Sequence, residues 1–158
     1  MNQGINHKVE DDQATGLGDS IIVGPTEVAD VMTAKVVTLS PHHSFSEAAN
    51  LMNDRYFRHC VVVDARGQIV GVISDRDILR ALARNPNARS KSLDQIMTHN
   101  PVTVRRHTPI AEAVGKIVSK RINCLPVVAE DGSVCGIVTS TDLLKSYQQL
   151  LKMMHKAR

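Results

Sequence analysis

The stretch GVISDRD, Gly71 to Asp77, ends an apolar run on a glycine, a hydroxyl and an acid, and GIVTSTD, Gly136 to Asp142, repeats that order 65 positions later. Each reads as a buried strand running into a helix. At such a corner Gly71 and Gly136 permit a close backbone approach or an unusual φ, and the new helix offers free N–H groups and a partial positive charge. Ser74 or Thr139 falls at the cap, able to cap the helix or to donate to a phosphate. Asp77 or Asp142, three residues on, lies in the first helical turn, where a carboxylate can accept from the vicinal hydroxyls of a ribose. An ordinary capping box accounts for the same residues, with the acid reaching back to the cap N–H. One copy favours the cap alone; two copies in register call for more.

Outward from the corners, the two halves match without a gap from VMT (31–33) against IMT (96–98) to DILR (77–80) against DLLK (142–145). Internal repetition decides the fold before any single motif does. Within a unit, VVTL (36–39) reads as a short strand. Ser44 then starts a helix with Glu47 completing a capping box, and Phe45, Ala48, Ala49 and Met52 mark its apolar face. The second copy places Thr108 as cap before Pro109 as first helical residue. CVVVDARGQIVGVIS (60–74) and LPVVAEDGSVCGIVT (125–139) each join two apolar runs by a polar turn with Gly, the pattern of a β-hairpin. A helix follows each hairpin, its acids suiting the positive N-terminus.

The fold class expected is therefore α+β, an α/β repeat of two β-α-β-β-α units. About 50 residues alone would be marginal, so the units should pack sheet to sheet with pseudo-two-fold symmetry. The boundaries expected are a loosely ordered leader 1–24, a first unit 25–83, a linker 84–92, a second unit 93–147 and a helix extension 148–158. IIV (21–23) could add an edge strand, and the three basic residues of RNPNARSKS (84–92) read as solvated. Leu143, Leu144, Tyr147, Leu150, Leu151 and Met154 hold one stripe along the last helix. A homodimer contact is the favoured cover for it, with packing on its own module as the alternative.

Composition narrows the functions. With no Trp, two Tyr and two Phe, base stacking on aromatic platforms is disfavoured. The net charge of +3 is scattered, without the basic stripe of a nucleic-acid surface. Apolar runs fall far short of the roughly 20 residues of a membrane span, and the N-terminus lacks the apolar segment of a signal peptide. Cys60, Cys124 and Cys135 form no CxxC pair and fit a reducing, cytoplasmic setting, where they serve as small hydrophobes. No nucleophile is paired with a base, so no enzyme is expected. His42, His43 and His107 read as solvated loop residues rather than metal ligands, and Met32, Met52 and Met97 as core.

Taken together, the leading VMT or IMT, the capped helix, the VVVD or LPVV strand, the Gly turn and the closing G-h-h-[ST]-x-x-D, all present twice over about residues 27–147, resemble tandem CBS domains, the Bateman module. That resemblance implies a non-catalytic sensor with two clefts for adenosine ligands, AMP, ADP or ATP, with S-adenosylmethionine as a further candidate and no obligatory cofactor. By position, Asp77 and Asp142 would bind ribose hydroxyls, and Ser74 and Thr139 the ribose or phosphate. Thr33 and Thr98 with Val37 and Val102 would edge the adenine pocket, and Pro126 would shape one wall. Phosphate would meet Arg58, His59 and Arg76, whose counterparts Asn123, Cys124 and Thr141 cannot match their charge. Unequal sites are expected, with either cleft free to draw its cations from the opposite repeat. The competing expectation is an interaction protein for an enzyme or transporter, its clefts empty.

Overall fold

The computed structural model describes residues 24–156. The leader up to residue 23, with the IIV edge strand expected there, lies outside the described residues, as do residues 157 and 158. In chain order the elements are β1 (Thr38–Leu39), α1 (Phe45–Arg55), β2 (His59–Val63), β3 (Ile69–Ser74) and α2 (Asp75–Arg84), then β4 (Thr98–His99), β5 (Val104–Arg105), α3 (Ile110–Lys120), β6 (Cys124–Val128), β7 (Val134–Thr139) and α4 (Ser140–Lys156). The mixed α+β class and the two-sheet architecture expected from the repeat are what the structure contains.

One sheet has the order β1-β2-β3-β4 and the other β5-β6-β7. Equivalent strands keep equivalent registers: β1 runs parallel to β2 with Leu39 opposite Val62, and β5 runs parallel to β6 with Val104 opposite Val127. The expected strand 36–39 shortens to its last two residues; Val36 instead packs against the seam between the sheets.

Alternation along the strands sorts side chains into layers. Cys60, Val62 and Ile73 face one helix-covered core, and Leu125, Val127 and Val138 face the other. Their neighbours Val61, Val72, Cys124 and Ile137 form the seam where sheet meets sheet. Gln68 Nε2 donates to the Asp131 carbonyl at 3.3 Å, tying the two hairpin tips together.

The repeat in sequence is not the repeat in space. β4 belongs to the second half by sequence, yet it pairs antiparallel with β3, Gly71 opposite His99 and Val72 opposite Thr98. Leu93 and Met97, which lead into it, are buried in the first core. Reciprocally, Val28 is fully buried in the second core, and Thr33 exchanges backbone hydrogen bonds of 2.9 and 3.0 Å with Ile137. The leading segments are thus exchanged, each VMT or IMT completing the other half.

This exchange explains the corner glycines. Neither takes a positive φ; only Gly67 and Gly132, at the hairpin turns, do so among the described glycines. A Cβ on Gly71 would collide with the Met97 sulfur, and one on Gly136 would come within 2.7 Å of the Met32 sulfur and 3.2 Å of the Thr33 carbonyl oxygen. Close approach, not backbone conformation, selects glycine here.

The helix starts part company. Ser44 caps α1 with its Oγ accepting from Glu47 N–H at 3.2 Å, while Glu47 Oε2 accepts from Ser44 N–H at 2.6 Å. Thr108 does not cap α3, a correction to the expectation above: its Oγ1 accepts from Arg105 N–H at 2.9 Å, and Pro109 takes the cap position. Pro109 has no N–H for Glu112 to receive, and Glu112 instead pairs with Lys116 at 3.1 Å. Among the loop histidines, His107 is also more than solvated, since its Nδ1 lies 2.8 Å from Glu27 Oε2 and fastens the first leading segment to the second half.

Along α4, Leu143 packs against the second core and Leu150 lies against Gly24. Leu144, Tyr147, Leu151 and Met154 stay exposed, Leu144 at 68%. Packing within the module therefore covers only part of the stripe.

Candidate functional site

The corners are built alike to within a tenth of an ångström. Ser74 donates to Asp77 Oδ2 through its N–H at 2.9 Å and its hydroxyl at 2.6 Å, and Asp77 N–H donates back to Ser74 Oγ at 3.3 Å. For Thr139 and Asp142 the same three bonds measure 2.8, 2.6 and 3.3 Å. Both are capping boxes. Only one carboxylate oxygen is used in this way, so capping leaves the second oxygen for other work. Arg80 Nη1 donates to Asp77 Oδ1 at 3.4 Å, whereas the capping bonds of Asp142 all run to Oδ2.

Two cavities open where the leading segments, the corners and the ends of the β2 and β6 strands meet. The larger, of about 670 Å³, brings Thr139 and Asp142 of the second corner together with Thr33 and Val37 of the first leading segment. Arg58, His59 and Arg76 from the first half also line it. The smaller, of about 300 Å³, joins Ser74 and Asp77 to Thr98 and Val102, again with His59 and Arg76. Each corner therefore shares its cavity with the leading segment that the exchange brings to it.

Of the ligand contacts expected from the sequence, Pro126 alone lines neither cavity. It is fully buried on β6, beside its cross-strand partner Ile137 on the same face of the sheet, and it is Ile137 that lines the larger cavity. Sequence reasoning missed Lys35, Tyr56 and Lys145 in the larger cavity and Arg80 and Arg121 in the smaller. Two of these carried a signal: Arg80 and Lys145 are matched basic residues three places after each motif Asp. Tyr56 and Arg121 are also matched, as the left-handed residues that end α1 and α3 with φ of 56° and 54°. That conformation turns the chain from helix into strand and aims both at the cavities, which a sequence pattern does not reveal.

Electrostatics favour an anion in the larger cavity. Lys35, Arg58, Arg76 and Lys145 face two acids, Asp75 and Asp142. Arg58 is engaged by Asp75 at 3.8 Å, across a largely exposed contact worth little by itself. His59 is held below the usual imidazole range, mainly because burial disfavours its charged form, with Asp75 and Asp77 opposing. The equivalent Cys124 is pushed up to about 12 by burial and by the nearby Asp77 charge, and stays a neutral thiol. Cys60 is likewise pushed up to about 12 by burial. No cluster of His, Cys, Asp and Glu suited to a metal ion occurs among the described residues.

The CBS domain model matches residues 28–84 and again 93–149. The chain is 35% identical over 124 residues to a homoserine O-acetyltransferase from Methanohalobium evestigatum, covering 78% of this chain and 24% of that one. It thus spans about a quarter of that relative, whose name describes a much longer polypeptide. Among solved structures, the CBS domain pair of protein MJ0100 in complex with 5-methylthioadenosine and S-adenosyl-L-methionine superposes with a TM-score of 0.72 at 33% identity, over 77% of this chain and 99% of that one. CBSX2 in complex with AMP gives 0.71 at 26% identity, over 80% and 98%.

Proposed function

This chain belongs to the CBS domain family, as a tandem pair, and we propose that it is a non-catalytic regulatory module that binds adenosine ligands in its two cavities. The observation that carries this reading is the meeting, in each cavity, of a hydroxyl–carboxylate corner with the exchanged Thr and Val of a leading segment. The corner supplies an acceptor for ribose hydroxyls beside helix N–H groups; the Thr–Val edge supplies a half-apolar slot for a flat base. Cations around the larger cavity add charge-assisted bonds for phosphate. AMP, ADP and ATP are the favoured class. S-adenosylmethionine and methylthioadenosine, which share the adenosine and lack phosphate, are the alternative for the smaller cavity.

Thr33, Val37, Thr139 and Asp142, with Arg58, His59 and Arg76, form the larger site; Ser74, Asp77, Thr98 and Val102 form the smaller. Ligand binding acts on the rest of the molecule only through a difference in affinity between two arrangements of the pair or of its dimer. A homodimer in the cytoplasm is the setting proposed, supported by the exposed Leu144, Tyr147, Leu151 and Met154 on one face of α4. No helix among the described residues is long and apolar enough to cross a membrane.

Calorimetric titration with AMP, ADP, ATP and S-adenosylmethionine tests the reading. Binding by at least one, weakened by Asp77→Ala or Asp142→Ala, is expected. No binding by any of them at millimolar concentration would remove it and favour an interaction module with empty clefts. The dimer is tested separately by sedimentation of the chain truncated after Ser146, which should be monomeric.

A further inference from the structure

The cavities are not independent, because His59, Arg76 and Asn123 line both of them. Among these, Arg76 is the permanent cation. Its neighbours Arg58 and Arg80 are each engaged by a carboxylate, Asp75 at 3.8 Å and Asp77 at 3.4 Å, while Arg76 forms no ion pair among the described residues. It stands in the first turn of α2 directly before Asp77, so its backbone is fixed by the corner while its exposed side chain is free to turn either way.

From this placement we infer that Arg76 couples the two cavities negatively for phosphate-bearing ligands: the guanidinium serves whichever phosphate binds first and is lost to the second. The inference rests on the adenosine-binding function proposed above and adds regulation to it. A planar guanidinium makes its strongest bonds to phosphate as a bidentate fork, which commits it to one anion at a time. His59 does not confuse the effect at pH 8, where its imidazole is neutral. Asn123 carries no charge. A ligand without phosphate makes no demand on Arg76, and two such ligands should fill the pair without interference. The module would then distinguish a pair of nucleotides from a nucleotide with an uncharged nucleoside, because only the second combination leaves both ligands at full strength.

The test is calorimetry of the full chain at pH 8 with AMP and, separately, with adenosine. The larger cavity is disabled in two ways, by Lys145→Glu, which leaves the cap of α4 untouched, and by Asp142→Ala. AMP should bind the smaller cavity about tenfold more tightly in either variant than in the unaltered chain with its larger cavity filled, the effect of one charged hydrogen-bonding partner. With Arg76→Gln added throughout, that ratio should fall to near one, and for adenosine it should be near one in every protein. A ratio of one for AMP in the chain with Arg76, a tenfold ratio that survives Arg76→Gln, or AMP binding to a single cavity in every variant would each overturn the coupling while leaving adenosine binding intact. No binding of either ligand would overturn both.

Discussion

The two corners and the two cavities built on them differ in opposite ways. Ser74–Asp77 and Thr139–Asp142 superpose bond for bond, yet the spaces they border measure about 300 and about 670 Å³. The repeat has kept the part that caps a helix and that the proposed function gives to the sugar, and has varied the part around it. Because the two sheets meet at a shared seam, the larger cavity combines Asp142 of one half with Arg58 and Arg76 of the other. A repeat compared only with itself would assign those arginines to Asp77. The spatial neighbourhood assigns Arg58 to Asp142 and lets Arg76 serve both.

The largest effect should come from breaking the exchange at one corner. Gly136→Val would force the Met32 sulfur and the Thr33 carbonyl apart from β7, and overpacking of this kind costs about 3 kcal/mol. Gly71→Ala meets only the side chain of Met97 among its nearest atoms, so it should cost less, and adding Met97→Ala should recover part of the loss. Thermal melts of the three proteins compare the corners directly. Equal losses, with no recovery from Met97→Ala, would mean that the segments do not press on the glycines.

Next in size is the contrast in phosphate binding. Arg58→Gln should weaken AMP by about tenfold at the larger cavity and leave adenosine unaffected, the loss of one charged hydrogen bond. Arg58 is absent from the smaller cavity, so that affinity should hold. An equal loss for adenosine would mean that Arg58 holds the base or sugar instead.

Helix capping sharpens the comparison away from the cavities. Ser44→Ala removes a reciprocal cap and should cost about 1 kcal/mol, while Thr108→Ala leaves α3 without any cap to lose. Its cost should be confined to the loop bond to Arg105. Chemical denaturation of both variants decides this, and a larger loss for Thr108→Ala would contradict the assignment.

The smallest effect is one of pH, and it belongs to the first half alone. His59 has its pKa lowered by burial, so the unfolded chain takes up its proton more readily and stability falls as pH drops below the ordinary imidazole range toward the folded value. Above that range the contribution is fully present. His59→Cys, which copies Cys124 of the second half, should flatten this part of the stability profile. A phosphate beside His59 favours its charged form, so the affinity for AMP of the parent relative to His59→Cys should rise as pH falls from 8 to 6, the titration of the phosphate itself cancelling in that ratio.

Much of this was legible in the sequence, and the limits follow from what a sequence pattern encodes. Apolar periodicity and the paired G-h-h-[ST]-x-x-D gave strands, helices and both corners, because those depend on neighbours three or four residues apart. Asp77 and Asp142, Ser74 and Thr139 were identifiable for the same reason. What a linear repeat hides is which half a segment completes: Met97 pairs in sequence with Met32 but packs on Gly71. The cap of α3 was misplaced by one residue, since Thr-Pro fits a generic helix start while Pro109 aligns with Ser44 as the cap. Tyr56 and Arg121 reach the cavities through left-handed backbone at non-glycine residues, which composition does not announce. Pro126 looked like a wall residue, and alternation on β6 put it in the buried seam instead.

The most direct measurement is the site-by-site loss of AMP binding, by calorimetry, in Asp142→Ala and Asp77→Ala. Asp142→Ala should remove the tighter of two steps and Asp77→Ala the weaker, with adenosine discriminating between them far less than AMP does. Loss of the tighter step in Asp77→Ala, or unchanged AMP binding in both single variants and the double, would contradict two unequal nucleotide cavities completed by exchanged segments.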